Sequence, residues 1–575
     1  MPREHVRRPS REVILRSSAA KAVSAFFANR VPWRARSMSL ALIVGLLCGV
    51  VACLYELITA FVLHVVWQQG GPLFASVLPE WLPPWTYILV VSTLLGGLTG
   101  VLLHVCGEPM NNLPGVVLAA HRDGQLGYEE APAMALISIT NICAGGSLGP
   151  EAALVSIGGG LATFISLFVD LSEAETLFTT MSGMGAGLAA FFGEPVGGAL
   201  FACEVLHRHG VEYYEAIIPT VIAGLACNWS FRTLADLPQE PIWHFAPEEP
   251  LRPWTSILGV LWGVIGGLLG WAWMKMTKWT RANVMAPCGL NDPAAPRHIA
   301  KGLLGGCLIG ALGTVMPETL FFSELEAQTI ISGGATPLPH VWPTVGCLGA
   351  YSLAKPAWLV AIGLAKLVAI SITVLAGYRG GFIFPLMFAG LALGTGFAAF
   401  LSAYVPELSP AACALGMACA INAAVTRTVL ATPIVLASLA GRTDCFPTLL
   451  VASIVAMQMT GDEAIIVAAR RRWLRSELDG ADSLTDDTPY DSPPIVRRRP
   501  RMRKPGEGGT RSPPRKGTEE PTGNHVCSDG STSSGHSQHS ASRVTQCAPP
   551  VAPSGALQGP PGVTPGGTGG ATAMV

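Results

Sequence analysis

Charge is what this sequence has least of. Only 13% of its 575 residues are Asp, Glu, Lys or Arg, about half the share found in soluble globular domains. The formal net charge is −1, so no sign predominates; nothing marks a nucleic-acid partner, and none is expected. The 14 cysteines form no C-x-x-C pair and no zinc-like spacing. Most sit in apolar runs, where a packed, reduced thiol is the simple reading. There is no H-E-x-x-H pair and no Ser or Asp motif with a plausible partner, so an intramembrane enzyme lacks a chemical basis. No metal or cofactor is expected.

What the chain has in place of charge is hydrocarbon. Half of its residues are hydrophobic, its mean hydropathy is +0.44, and long apolar runs recur from Met38 to about Val467. Among them are MSLALIVGLLCGVVACLYELITAFVLHVV, YILVVSTLLGGLTGVLLHV and WLVAIGLAKLVAISITVLAG. Several reach the roughly 20 residues that cross a bilayer as helix. The expected class is an all-α, polytopic membrane protein, with the lipid bilayer as its medium. Three regions separate by composition. Residues 1–37 form a basic arm, with nine Lys or Arg against Glu4 and Glu12; residues 38–473 hold the apolar segments; residues 474–575 are rich in Pro, Gly and Ser. The last region is expected to be disordered, because it holds too little apolar surface to offset chain entropy. The arm and ARRRWLR (469–475) both read as cytosolic, which predicts an even number of crossings. The arm is also Arg-rich and poor in acids, so an organellar transit peptide is a second reading of it. Which membrane holds the protein stays open.

An internal repeat is visible. GPEAALVSIG (149–158) and GFIFPLMFAG (381–390) both start and end on Gly, at an offset of 232; SGMGAGLAAFFGEPVG (182–197) and LGMACAINAAVTRTVL (415–430) align at Gly183 and Gly416, offset 233. Two matches at nearly one offset predict two related halves, with chance similarity among Gly/Ala-rich helices as the competing reading. Proteins built this way place their site at the bilayer midplane, between interrupted helices of corresponding position. Here the Gly-rich breaks stand at the starts of apolar runs, so they offer helix N-termini with free N–H groups and positive dipole ends. Two such ends converging would hold an anion without a fixed cation. One carboxylate, Glu151, lies in this setting. A charge in hydrocarbon costs a few kcal/mol or more and is rare away from a pathway or partner. The plainer alternative is a glutamate capping its own helix start.

Residues 38–473 resemble the CLC family of chloride channels and proton-coupled chloride exchangers. The family's second signature, Gly-x-Glu-Gly-Pro leading into Ile-Gly-Gly, is similar to GPEAALVSIGG, with Gly149, Glu151, Ile157, Gly158 and Gly159 in register. The third, Gly-x-Phe-x-Pro, is similar to GFIFP, matching Gly381 and Pro385 with Ile383 in place of the usual Phe. The resemblance implies an inverted-repeat fold of broken helices, a homodimer with one pore per subunit, and chloride or another small anion as the cargo. It makes Glu151 the gate, whose carboxylate competes with the anion, and puts Gly149 and Pro150 beside it on the anion path. Phe382 and Ile383 would give backbone N–H groups to the anion, although a simple helix start after a Gly-Gly turn has the same geometry.

Other positions depart from the family. Its first signature, Gly-Ser-Gly-Ile-Pro, is poorly kept. Placing Pro114 on its proline puts Asn111 where a serine hydroxyl touches chloride; an amide also donates, and a polar turn before a helix is the alternative. A similar Asn-Asn-Leu run occurs in the family's fluoride-exporting branch, which leaves the preferred halide open. The tyrosine that completes the central site falls on Ile466, which has no O–H. Exchangers commonly carry Glu-Glu after the LF run, the second being the inner proton acceptor; LFACEVL gives Glu204, then Val205. Valine carries no proton, so the resemblance favours a channel. Lys366 matches a common basic position, either adding positive potential to the pathway or snorkelling to an interface. The paired nucleotide-sensing CBS domains of eukaryotic members are not expected. The function expected is passive anion movement through a glutamate-gated pore. A chloride/proton antiporter, a fluoride- or nitrate-selective variant, and a non-conducting membrane scaffold are the alternatives.

Overall fold

The computed structural model describes residues 33–77, 79, 81–106, 113–206, 210–247, 251–290, 295–405 and 407–461. Asn111, Ile466, the tail from 474 and all but the end of the basic arm lie outside them. Among the described residues the regular structure is helical, and one isolated β-bridge is present. Eight helices or helical runs are long and apolar enough to cross a membrane.

The helices fall into two matching sets. The first holds α1 (Trp33–Leu63), α2 (Gly70–Val77), α3 (Thr86–Cys106), α4 (Leu113–Asp123), α5 (Ala131–Cys143), α6 (Glu151–Val169), α7 (Glu173–Phe192), α8 (Pro195–Leu206) and α9 (Gly210–Leu234). The second holds α10 (Thr255–Thr280), α11 (Ala295–Val315), α12 (Glu326–Ile331), α13 (Pro356–Leu375), α14 (Ile383–Leu401), α15 (Pro410–Thr426), α16 (Ala431–Leu439) and α17 (Phe446–Thr460). Their packing repeats. In the first set α1 lies on α9, α9 on α7 and α7 on α6; in the second α10 lies on α17, α17 on α15 and α15 on α14. The helices α3 and α11 pack on each other and join the halves. The repeat seen in the sequence is thus a repeat of architecture.

Small residues make that packing possible. Gly158 of α6 and Gly183 of α7 meet so closely that a Cβ on either would strike the other's carbonyl oxygen. At the matching place in the second half, Gly390 of α14 rests on the Cα of Ala418 of α15. Without a hydrophobic drive between helices in lipid, such approach of backbones supplies the attraction. Local signals agree with the helix bounds. Ser172 and Glu175 form a reciprocal capping box at the start of α7, and Ser409 caps α15 by accepting from Ala412 N–H at 3.1 Å. Gly193, at φ 62°, ends α7 in the left-handed region and frees Pro195 to open α8. Eight of the twelve cysteines among the described residues are buried.

Candidate functional site

The helices α6 and α14 begin at one place. Gly149 N–H donates to Gly381 O at 2.7 Å and Gly381 N–H donates to Gly149 O at 2.9 Å, an antiparallel bridge just ahead of both helices. Pro150 and Phe382 are the N-caps, so Glu151 and Ile383 are the first helical residues of their halves. Residues 141–156 and 378–394 are buried throughout. Two helix N-termini therefore meet deep inside the protein, each with first-turn N–H groups that have no acceptor in their own helix.

Glu151 crosses this junction. Its side chain is 0% exposed. Oε1 accepts the N–H of Phe384, on the opposite helix, at 3.2 Å. The N–H groups of Glu151 itself, Ile383 and Gly381 also act on the carboxyl, and Oε2 has no hydrogen-bond partner. The carboxylate thus reaches across to α14 and does more than cap its own helix. A Cβ on Gly149 or on Gly381 would collide with this carboxyl, which is why both positions are glycine.

Gly149 has given its N–H to Gly381, and Pro150 has none, so neither donates at the junction; they shape it. Phe382 and Ile383 are fully buried at the junction, and the Ile383 N–H acts on the carboxyl; beside it Phe384, which sequence reasoning did not name, donates its N–H to Oε1. Helix-end logic could have found it, since with Phe382 as N-cap the free N–H groups fall on Ile383, Phe384 and Pro385's position, and Pro385 has none. The Phe384 ring packs edge-on against Phe191, centroids 4.7 Å apart, and against Trp243 at 6.0 Å, an apolar wall on that side.

Behind the junction, an irregular buried stretch, 317–323, supports the chain entering α6. Ser147 Oγ donates to Thr319 O at 2.8 Å and Phe321 N–H donates to Gly145 O at 3.2 Å. Lys366 of α13 holds this stretch. Its fully buried Nζ donates to the carbonyls of Thr319 (2.9 Å), Leu320 (3.1 Å) and Phe321 (2.7 Å) and to Ser323 Oγ (2.6 Å). The snorkelling reading of Lys366 is therefore wrong, because its ammonium is turned inward and satisfied by protein oxygens. Phe321 and Ser323 adopt φ of 55° and 67°, a conformation that side chains resist and that these bonds sustain.

At the end of α8, Val205 is buried, 3% exposed. Glu204 spans to the other half, where Oε1 accepts Leu430 N–H at 2.9 Å and Oε2 accepts Ala431 N–H at 3.1 Å. Its carboxylate is the cap of α16. Among the described residues no group of three or more His, Cys, Asp or Glu could hold a metal ion.

Fold and junction together define a multi-pass helical membrane protein made of two inverted halves whose broken helices meet at its centre. The sequence profile of the family "Voltage gated chloride channel" matches residues 96–461. The chain belongs to that family, and so to membrane proteins that move anions rather than transform them. The "Chloride/fluoride channel protein" of Pseudomonas syringae pv. tomato is 24% identical over 377 residues, covering 64% of this chain and 74% of that one. The "H(+)/Cl(-) exchange transporter ClcA" of Vibrio cholerae is 23% identical over 386 residues, covering 64% and 74%. Among solved structures, a slow cyanobacterial Cl⁻/H⁺ antiporter aligns at TM-score 0.62 with 16% identity, over 76% of this chain and 97% of its own. A CLC-type fluoride/proton antiporter aligns at 0.58 with 19% identity, over 75% and 96%. At such identities the structures speak for the fold alone.

Proposed function

We propose that the protein is a passive channel for chloride or a related small anion, with Glu151 as its gate. The observation that carries this is the Glu151 carboxylate lying on the N–H of Phe384 where two helix N-termini meet. Those donors suit any small anion, so the carboxylate and a permeating ion compete for one place. Protonation removes the charge that holds the carboxylate there and frees the donors. Phe382, Ile383 and Phe384 surround the position and Gly149 and Pro150 shape it; Asn111 and Ile466, which the family resemblance adds to the anion path, lie outside the described residues.

Two observations favour a channel over a proton exchanger. Val205 occupies the inner acceptor position with an aliphatic side chain, and the neighbouring Glu204 is committed to capping α16. The relatives include both channels and exchangers, so function turns on these residues. The reading also includes a transmembrane unit over 38–473, both termini on the cytosolic side, and a homodimer. The experiment is anion flux from proteoliposomes across a pH series, with Glu151→Gln and Glu151→Ala. Both variants are expected to conduct with their pH dependence flattened; an unchanged pH profile in both removes Glu151 from the gate. Substituting chloride by nitrate or fluoride in the same vesicles orders the anions.

A further inference from the structure

The peptide that holds Glu151 is itself held from behind. The carbonyl of Ile383 and the N–H of Phe384 are two ends of one planar peptide unit. The N–H end donates to Glu151 Oε1 at 3.2 Å; the carbonyl end accepts from Nδ2 of Asn422, on α15, at 3.1 Å. Asn422 is 0% exposed. Thr426 Oγ1 donates to the Asn422 carbonyl oxygen at 2.8 Å, with Asn422 Oδ1 a second, longer acceptor at 3.3 Å; Thr426 lies 2.7 Å from Thr428 Oγ1, and Thr428 lies 2.6 Å from Thr432 Oγ1. These three threonines are buried as well. Thr432 stands one residue past Ala431, whose N–H is held by Glu204. A line of polar contacts thus runs from the start of α16 to Asn422, and the Ile383–Phe384 peptide continues it to the carboxylate of Glu151. None of this was singled out in the sequence, where the Asn422 position in the first half is filled by Ala189.

We propose that Asn422 is a positioning residue for the gate: it fixes and polarises the Ile383–Phe384 peptide so that the Phe384 N–H grips the ionised Glu151. Donation to the carbonyl end of a peptide makes its N–H end a stronger donor, and hydrogen bonds in series reinforce one another in a dry interior. The line transmits position and polarisation. It does not carry a proton, because the Asn422 side chain and the peptide are amides, which accept and donate at different atoms and hold their protons. That agrees with passive conduction. The inference rests on the reading of Glu151 as gate and goes beyond it, since it assigns the strength of the gate to a residue that touches neither anion nor carboxylate.

The charged groups on the Glu151 side lie elsewhere. Glu324 is within electrostatic reach of Glu151, Glu56 and Glu326; Glu326 pairs with His340 at 2.9 Å and also acts on Lys366. Substitution of Asn422 alters none of them.

The test is the pH at half-maximal chloride flux in proteoliposomes, using the full chain. Asn422→Leu, with the same number and branching of side-chain heavy atoms, loses the bond to Ile383 O. Its midpoint should move to higher pH by about half a unit, roughly threefold in proton concentration, because a weaker grip on the carboxylate leaves the gate easier to protonate. Thr426→Val, nearly isosteric, leaves Asn422 less firmly held and should move the midpoint the same way by less. In a Glu151→Gln background, where the profile is flat, Asn422→Leu and Thr426→Val should leave the flux itself unchanged, whereas a general loosening of the fold would alter it there too. If Glu151→Gln leaves the profile unchanged, the gate reading fails. If Glu151→Gln flattens it while Asn422→Leu and Thr426→Val leave the wild-type midpoint in place, the positioning role alone is overturned. Should Asn422→Leu fail to assemble, Thr426→Val decides by itself.

Discussion

The starts of α6 and α14 are one backbone used twice. Each follows a glycine of the same bridge, each is 19 residues long, and their first helical residues lie at an offset of 232, the offset of the sequence repeat. Yet one begins with Glu151 and the other with Ile383. Symmetry of the backbone makes two donor sets converge; asymmetry of one side chain decides what fills them. A pair of isoleucines would leave an anion cradle without a competitor, and a pair of glutamates would face each other across the bridge. The converging donors belong to the fold, whereas the carboxylate that occupies them belongs to one half alone, and on the proposed reading that difference makes the gate.

The sharpest way to break that asymmetry is to abolish it. Ile383→Glu would put a second carboxylate at a fully buried position beside the first. Two like charges there cannot both ionise cheaply, and neither would leave donors free for an anion. Chloride flux at neutral pH should fall roughly tenfold or more, with part of the loss recovered at acid pH as one carboxyl takes a proton. Flux equal to wild type across the series would show that the two starts are not opposed across a conducting path. Next in size is the removal of the existing charge by Glu151→Gln, whose flattened pH profile is argued above.

The support behind the two starts differs as well. The chain entering α6 leans on the 317–323 stretch, gathered by Lys366, whereas the start of α14 leans on Asn422. Lys366→Met keeps most of the side-chain bulk and removes the ammonium; Thr319 O keeps Ser147 Oγ and Leu320 O keeps Ser323 Oγ, while Phe321 O loses the donor that holds it. An unmet buried acceptor costs on the order of 1–3 kcal/mol before the structure relaxes, so a drop in the melting temperature of detergent-solubilised protein is expected. The half-saturating chloride concentration should change little if the ammonium is spent on carbonyls. A severalfold rise in that concentration with no loss of thermal stability would instead make Lys366 a charge of the pathway.

How far these features could be read from the chain follows from what repeats in it. The two-halved helical fold was legible because Gly spacing and apolar runs are local, and two offsets agreed. Glu151 was legible because one carboxylate in a run of small residues has few structural excuses. What escaped is set by distance along the chain. Asn422 reads as one polar residue in an Ala-rich helix, and only folding brings it to Ile383, 39 positions away. Lys366 was found but left between two roles, because its carbonyl partners, 45 to 47 positions upstream, carry no side-chain signature. The bridge between Gly149 and Gly381 escaped as well, since a bond between backbones does not show in a motif.

The smallest expected effect concerns the two remaining glutamates that reach across the halves. Glu194 accepts Val196 N–H at 3.0 Å at the start of α8 and Ser438 Oγ at 2.8 Å from α16; Glu204 takes the two N–H groups that open α16. Both are caps, placed where a carboxylate meets the positive end of a helix. Glu204→Gln keeps one acceptor and turns an amide NH₂ toward the other N–H. It should cost about 1 kcal/mol, the usual worth of a helix cap, seen as a small fall in melting temperature with anion flux retained. Vesicles carrying an imposed chloride gradient then separate cap from proton acceptor. A passive channel moves no protons uphill, with or without Glu204. Sustained uphill proton movement in the wild type, lost in Glu204→Gln, would overturn the channel and give Glu204 the inner proton role that Val205 lacks.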